Sequence, residues 1–300
     1  MGKQSRRDFL KTSGLIGAGL SGLSSKKAHS GVKKIIADDR MGVLVDTTLC
    51  IGCRRCEYAC KGAHDIDPGR IEQYDDRSVF KEMRRPQYNA YTVVNEYTDP
   101  ENPDNPSNVK VQCMHCDHPA CLSACIVGAF SKEENGAVIW DEGKCIGCRY
   151  CMIACPFQIP QFEYHKALEP EIRKCDLCWE SRTKDGGVPA CVEICPMEAL
   201  VYGKRYELLQ LAHERIEKNP ERYLDHVYGE NEVGGTSWLY LAAQDFTKLD
   251  FPQLSDEPAP GASEKLQHAI FSYFIPPASL FALLGGIMWI NRKQNTTEEE

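Results

Sequence analysis

The sequence predicts a loop-rich α+β fold held together by metal as much as by an apolar core. Three observations carry this. Sixteen cysteines fall into four groups of four, with none left over. Short runs of branched and aromatic residues, bounded by Gly, Asp or Pro, flank those groups. One longer stretch repeats its apolar residues at helical spacing. A metal-rich chain tolerates long loops, because metal–thiolate bonds substitute for part of a hydrophobic core.

The runs are taken in chain order. GVLVD at 42–46 predicts a strand ahead of the first cysteine group. NAYTVVNEY at 89–97 and VKVQ at 109–112 predict two more before the second. GAVIWD at 136–141 precedes the third group, and ALVYG at 199–203 follows the fourth. Each has a strand's length and side chains that suit a pleated surface. Helical starts are expected after the fourth cysteine of each group, and YELLQLAHERIEK at 206–218 predicts a full helix.

Group one is Cys50, Cys53, Cys56 and Cys60, in CIGCRRCEYAC. Group two is Cys113, Cys116, Cys121 and Cys125, in CMHCDHPACLSAC. Group three, CIGCRYCMIACP, holds Cys145, Cys148, Cys151 and Cys155. Group four is Cys175, Cys178, Cys191 and Cys195, where CDLC is followed by CVEICP. A C-x-x-C-x-x-C turn curls around one inorganic cube and points three thiolates at it. The fourth cysteine faces away and, in two-cluster ferredoxins, ligates the other cube. Groups one and three match in full, and Pro156 and Pro196 supply the expected proline in groups three and four. Group two stretches one gap and has Ile126 in the proline's place. Zinc ribbons want ligands in pairs, not a recurring triplet plus one. Cysteines two residues apart have poor geometry for a disulfide with each other. Four-fold repetition therefore predicts four [4Fe–4S] clusters, with all sixteen cysteines as iron ligands.

The ends of the chain predict a location. SRRDFLK at 5–11 carries the twin arginines Arg6 and Arg7, followed by a short Gly-rich apolar stretch and Ala28-His29-Ser30 before Gly31. Residues 1–30 read as a twin-arginine signal peptide, which exports proteins already folded. Clusters are then installed before the chain meets an oxidising compartment. Gly17, Gly19 and Gly22 spell a dinucleotide fingerprint, but no strand precedes them and the match is fortuitous. Ala269–Ile290 is a run of 22 uncharged residues, about 33 Å long as a helix and enough to cross a bilayer. Residues 266–291 are expected to span the membrane. Arg292 and Lys293 put the tail, 292–300, in the cytoplasm. The expected place is the periplasmic face of the bacterial inner membrane.

Charge agrees with export. The first thirty residues hold six basic side chains and one acid, and removing that +5 from the chain's −8 leaves −13. No basic stripe suits nucleic acid. No nucleophile triad, Walker loop or H-E-x-x-H occurs, so substrate chemistry is expected in another subunit. Lys61, Lys144, Arg149, Arg173 and Lys174 stand beside ligands, where a cation raises a cluster's potential or is simply solvated. His115 and His118 are expected to pack or hydrogen-bond, since four cysteines already serve group two. Trp179 stands next to Cys178 as a shield or an ordinary packed ring. His268 falls at the expected membrane interface.

Nineteen residues separate groups two and three, and 52 separate groups one and two. Groups two and three suit an inserted unit, with one and four closing around it. Spacing alone also permits sequential pairing, one with two and three with four. TLCIGCRRCEYAC, QCMHCDHPAC, CIGCRYCMIACPF and the later YGENEVGGTSWLYL resemble the four-cluster electron-transfer subunits of molybdopterin oxidoreductases and membrane hydrogenases. The likeness is greatest to the periplasmic ferredoxin-like subunits of quinone-linked uptake hydrogenases, and runs nearly end to end.

That resemblance implies the interleaved pairing. Cys50, Cys53 and Cys56 would share a cube with Cys195, and Cys175, Cys178 and Cys191 with Cys60. Cys113, Cys116 and Cys121 would take Cys155, and Cys145, Cys148 and Cys151 would take Cys125. One ferredoxin-like dicluster unit then covers 31–108 and 171–215, the second is inserted at 109–170, and 216–265 is an extension and linker. The implied role is a non-catalytic electron relay. Its implied partners are hydrogenase small and large subunits, or a molybdopterin catalytic subunit such as formate dehydrogenase or a polysulfide-type reductase. An integral membrane quinone-reactive subunit and the twin-arginine export machinery complete the set. A structural module held by disulfides or zinc is the competing class.

Overall fold

GVLVD becomes β1 (Met41–Asp46), the middle strand of a three-stranded sheet, in a computed structural model that describes residues 40–99, 102–166, 171–261 and 278–289. β8 (Leu200–Lys204) pairs with it antiparallel and β9 (Trp238–Leu241) parallel. Alternation gives the sheet two working faces. Leu44, Leu239 and Leu241 pack under α5 (Arg205–Lys218), whose Leu208, Ala212 and Ile216 recur every fourth residue. Val43, Val45, Trp238 and Tyr240 face the other way, into the core that holds many of the cysteines. Burial of each such Leu or Ile is worth about 1.5–3 kcal/mol. Asp46 fixes the helix to the strand, accepting hydrogen bonds from Arg215 Nη1 and the Tyr223 hydroxyl, both at 2.8 Å.

A hairpin of β2 (Val93–Asp99) and β3 (Asn102–Val111) stands against the first cysteine group, with Val94 opposite Lys110. Two short ladders lie further along: β4 (Phe130–Lys132) with β5 (Val138–Trp140), and β6 (Gln161–Phe162) with β7 (Ile172–Arg173). All five sequence-predicted strand runs form strands, and 206–218 is helical. β4, β6 and β7 carry too few residues to declare themselves in sequence. Part of the expected 216–265 extension is central, because β9 completes the main sheet.

One expectation is reversed. Helices do not start after the fourth cysteines; they come before them. α1 (Arg55–Ala63) contains Cys56 and Cys60, while α2 (Ala120–Ser123), α3 (Tyr150–Ala154) and α4 (Ala190–Glu193) end just ahead of Cys125, Cys155 and Cys195. Proline explains the stop in two of them. Pro156 and Pro196 cannot extend a helix and drive the preceding residue extended, as at Cys155 with φ −73° and ψ 116°. After Cys60 there is no proline, and the helix runs on to Ala63.

α1 packs against α4, and α2 against α3. The expected signal segment and His268 lie outside the described residues. Of the expected membrane span, 278–289 is described and is helical, with Phe281, Met288 and Trp289 exposed. Among the described residues no helix is long and apolar enough to cross a membrane.

Candidate iron–sulfur cluster sites

The four C-x-x-C turns share one backbone feature. The residue before the second cysteine is left-handed in every group: Gly52 at φ 68°, His115 at 49°, Gly147 at 69° and Leu177 at 62°. That conformation curls the loop so that its amide faces the first sulfur. Gly147 N–H donates to Cys145 Sγ at 3.4 Å, Leu177 N–H to Cys175 Sγ at 3.4 Å, and Gly52 N–H to Cys50. Glycine at two of the four places was the sequence signal for this turn. Gly52 is doubly required, because a Cβ there would come within 2.3 Å of Asn108 Oδ1.

A second turn recurs three residues past the fourth cysteine. Gly128, Gln158 and Glu198 are left-handed there, and each donates its amide back to the carbonyl of Cys125, Cys155 or Cys195. Ala129 N–H donates to Cys125 Sγ at 3.2 Å, and the amides of Ile159, Phe157 and Gln158 serve Cys155. Group two keeps this turn without its proline, since Gly128 supplies the conformation.

The electrostatic neighbours of each thiol show which cysteines the fold gathers. Burial pushes Cys50 up to about 11, and Cys195 and Cys53 add to the rise. Burial raises Cys60 well above its ordinary value, and its thiol neighbours are Cys175, Cys191 and Cys178. Cys116 is raised by burial and by Cys113, Cys155 and Cys121. Cys151, pushed up to about 11 by burial, has Cys145, Cys148 and Cys125 beside it. Each fourth cysteine therefore stands with another group's triplet. Neighbouring gatherings also meet: Cys56 feels Cys191, Cys175 feels Cys113, and Cys121 feels Cys151.

All sixteen thiols are free. Thiols gathered in fours, those of Cys56, Cys60, Cys116 and Cys175 held well above their ordinary pKa chiefly by burial, fit a positively charged iron core that draws off their protons. A small cavity bounded by Cys50, Cys53, Cys56 and Cys195 with Val94 and Lys110 makes the first cradle visible. Disulfides account for neither the four-fold gathering nor the amides aimed at sulfur, and a triplet joined by one distant cysteine is not the paired spacing of a zinc ribbon. Described in these terms, the chain carries [4Fe–4S] clusters, and sixteen thiolates are the complement of four.

The auxiliary side chains divide. Lys144 is an exposed partner of Asp141 at 2.8 Å. Arg149 lies over Phe162 and Tyr164, and Arg173 pairs with Glu163 at 3.0 Å. Lys174 is buried and donates to Cys175 O at 2.9 Å and to Val138 O. His115 Nδ1 accepts from Val138 N–H at 2.8 Å, and burial, with Lys174 nearby, holds the ring neutral. His118 lies exposed over Gly234. Trp179 packs on the main core. His64 bridges Cys60 O at 2.7 Å and Asp176 at 2.6 Å, a contact the sequence did not announce. Lys110 was also missed. It alternates with Val109 and Val111, the pattern of a residue facing water, yet it is buried.

Fold and site together define a ferredoxin-type electron carrier, its clusters exchanging one electron each. Residues 107–205 match a 4Fe-4S dicluster domain model. A protein of Nitratidesulfovibrio vulgaris is 47% identical over 81% of this chain, which spans 65% of that protein's length. The hydrogenase-2 operon protein HybA of Escherichia coli O157:H7 is 32% identical over 97% of the chain and 96% of its own length. The iron–sulfur subunit of the nitrate-inducible formate dehydrogenase of Escherichia coli K12 is 35% identical over 66% of each. The chain belongs to the HybA family of four-cluster iron–sulfur proteins, and it is an electron-transfer protein.

Proposed function

We propose that this chain is a non-catalytic relay that passes electrons between a periplasmic nickel–iron hydrogenase and a quinone-reactive membrane subunit. The observation that carries the reading is the row of thiol gatherings combined with near-full-length similarity to a hydrogenase operon protein. Cys50, Cys53, Cys56 and Cys195 hold one end of the row. Cys60 with Cys175, Cys178 and Cys191 holds the second cube, and Cys155 with Cys113, Cys116 and Cys121 the third. Cys125 with Cys145, Cys148 and Cys151 holds the far end. The electrostatic proximity of Cys56 to Cys191, of Cys175 to Cys113 and of Cys121 to Cys151 supports this order. Packing of α1 on α4 and of α2 on α3 supports the interleaved division into an outer unit and an inserted one, at the boundaries given above.

The protein's own residues bind the cubes, exclude water and supply the amides that stabilise anionic sulfur. The cubes supply reversible one-electron storage. The chain works on the periplasmic face after twin-arginine export. Its C-terminal helix anchors it, a reading supported by the uncharged run and by the exposed apolar residues of 278–289. The second reading, the same relay for a molybdopterin enzyme, is favoured by the formate dehydrogenase relative.

Anaerobic purification of the membrane complex tests both. Nickel and a hydrogenase subunit should accompany about sixteen iron per chain. Molybdenum in nickel's place decides for the second reading, and an iron-free, disulfide-linked chain ends both.

A further inference from the structure

Lys110 stands near the end of β3 with 2% of its surface exposed. Its ammonium lies 4.3 Å from the centre of the Trp238 ring and donates to Gln112 Oε1 at 2.9 Å. Gln112 in turn donates to the Tyr240 hydroxyl at 2.6 Å, which donates to Lys110 O at 2.8 Å. Every one of these partners is neutral. Among the described residues no carboxylate forms an ion pair with it, and its largest charge neighbours are thiols. The ionisable groups that most favour its charge are the thiols of Cys191, Cys56 and Cys175. With its cross-strand partner Val94 it also lines the cavity bounded by Cys50, Cys53, Cys56 and Cys195.

A buried ammonium without an anionic partner is strongly disfavoured, and a protein retains one only where a charge of opposite sign compensates it. Here the compensating charge is thiolate, shared between two gatherings. Lys174 is also buried among cysteines, Cys113, Cys121 and Cys175, but it donates to two backbone carbonyls and does not line that cavity. The ammonium of Lys110 meets only neutral groups, Gln112 and Trp238, and has the thiols of both gatherings as its charge neighbours.

We propose that Lys110 is the fixed countercharge of the two cubes held by groups one and four, and that it raises their reduction potentials. This rests on the relay reading. When such a cube takes up one electron it gains one negative charge, while Lys110 gains and loses no proton. A fixed cation in a low-dielectric interior stabilises that reduced form over the oxidised one. Lys110 is thus a positioning residue for charge. It binds no substrate.

The test is a redox titration of the full-length chain in its membrane complex, followed by paramagnetic resonance, for wild type and Lys110→Met. The expected result is full iron content with one or two midpoints lowered. The shift is about tenfold or more in the reduction equilibrium, about 59 mV for a one-electron couple. Four unmoved midpoints at full iron overturn the proposal. If the methionine variant is short of iron, Lys110→Arg decides. Full iron with wild-type midpoints in the arginine variant supports a requirement for charge, and an equal shortage of iron overturns it. Wild-type protein without iron defeats the relay reading itself, which separates that failure from this one.

Discussion

CIGCR occurs twice, at Cys50–Arg54 and at Cys145–Arg149, with nearly one backbone: φ is 68° and 58° at Gly52 and Arg54, and 69° and 63° at Gly147 and Arg149. Their surroundings differ, although Ile51 and Ile146 are both exposed. Arg54 is buried and pairs with Glu57 at 3.2 Å, inside a clamp that also holds Arg84 and the amide of Val94. Arg149 is exposed, as are Cys148, Ile146 at 62%, Tyr150 at 60% and Ile153 at 82%. A ligand turn is therefore a local property, written in five residues. How dry the cube sits is set elsewhere, by whether a sheet and hairpin close over the turn.

That contrast makes its largest prediction for metal removal. Around groups two and three the apolar core is small, centred on Phe130, Val138 and Ile172. Chelation of iron under reducing conditions should abolish amide protection across 120–162. Protection should persist in β1, β8, β9 and α5, where Leu44, Leu208, Leu239 and Leu241 pack without cysteine. Hydrogen exchange followed by mass spectrometry reads this directly. Uniform loss across the chain would show that metal supports both halves equally.

Side-chain truncation sharpens the same point. Leu44, fully buried between sheet and helix, should cost about 2–5 kcal/mol when changed to alanine, seen as a lower denaturation midpoint. Ile153→Ala should stay within about 0.5 kcal/mol. A larger loss at Ile153, measured in the complex alone, would mean that a partner covers this end.

Much of the site was readable before the fold because ligation is local. The four cysteine groups, five strands and the 206–218 helix all follow from spacing and periodicity. What escaped depends on contacts distant in sequence. Lys110 looks solvent-facing within VKVQ, and only the packing of β3 against group one buries it. β9 falls in the 216–265 segment expected as extension and linker, and only its parallel pairing with β1, almost 200 residues earlier, makes it central. The helices were expected on the wrong side of the fourth cysteine. The third cysteine, not the fourth, begins each helical turn, and proline ends it in groups three and four.

The two glycines test the comparison within the repeated turn. Alanine at either position must hold a left-handed conformation, at about 1–2 kcal/mol. At Gly147 a Cβ meets only the Phe162 ring at 3.5 Å, an ordinary contact. At Gly52 it strikes Asn108, whose Nδ2–H donates to Cys50 O at 3.1 Å. Gly52→Ala should therefore lose more stability than Gly147→Ala, and iron loss should be confined to the group-one cube. Equal losses in thermal midpoint would mean that Asn108 moves aside freely.

The smallest effect concerns acid. The exposed half is held by a polar clamp in which Glu163 meets Lys166 at 2.8 Å and Arg173 at 3.0 Å, across the β6–β7 ladder. Burial opposes ionisation of Glu163, but the hydrogen bonds from Lys166 and Arg173 prevail and hold its pKa below the ordinary 4.5. A carboxyl whose pKa is depressed on folding stabilises the fold above its unfolded value. That contribution fades as pH falls through the folded value. Glu163→Gln should flatten the stability–pH curve below about pH 4.5 and leave its neutral region nearly parallel to wild type. The corresponding clamp at Glu57 is drier and has a second arginine, so Glu57→Gln should lower stability at neutral pH as well. A curve for Glu163→Gln that keeps the wild-type acid limb would show that this clamp orders the loop without coupling it to protons.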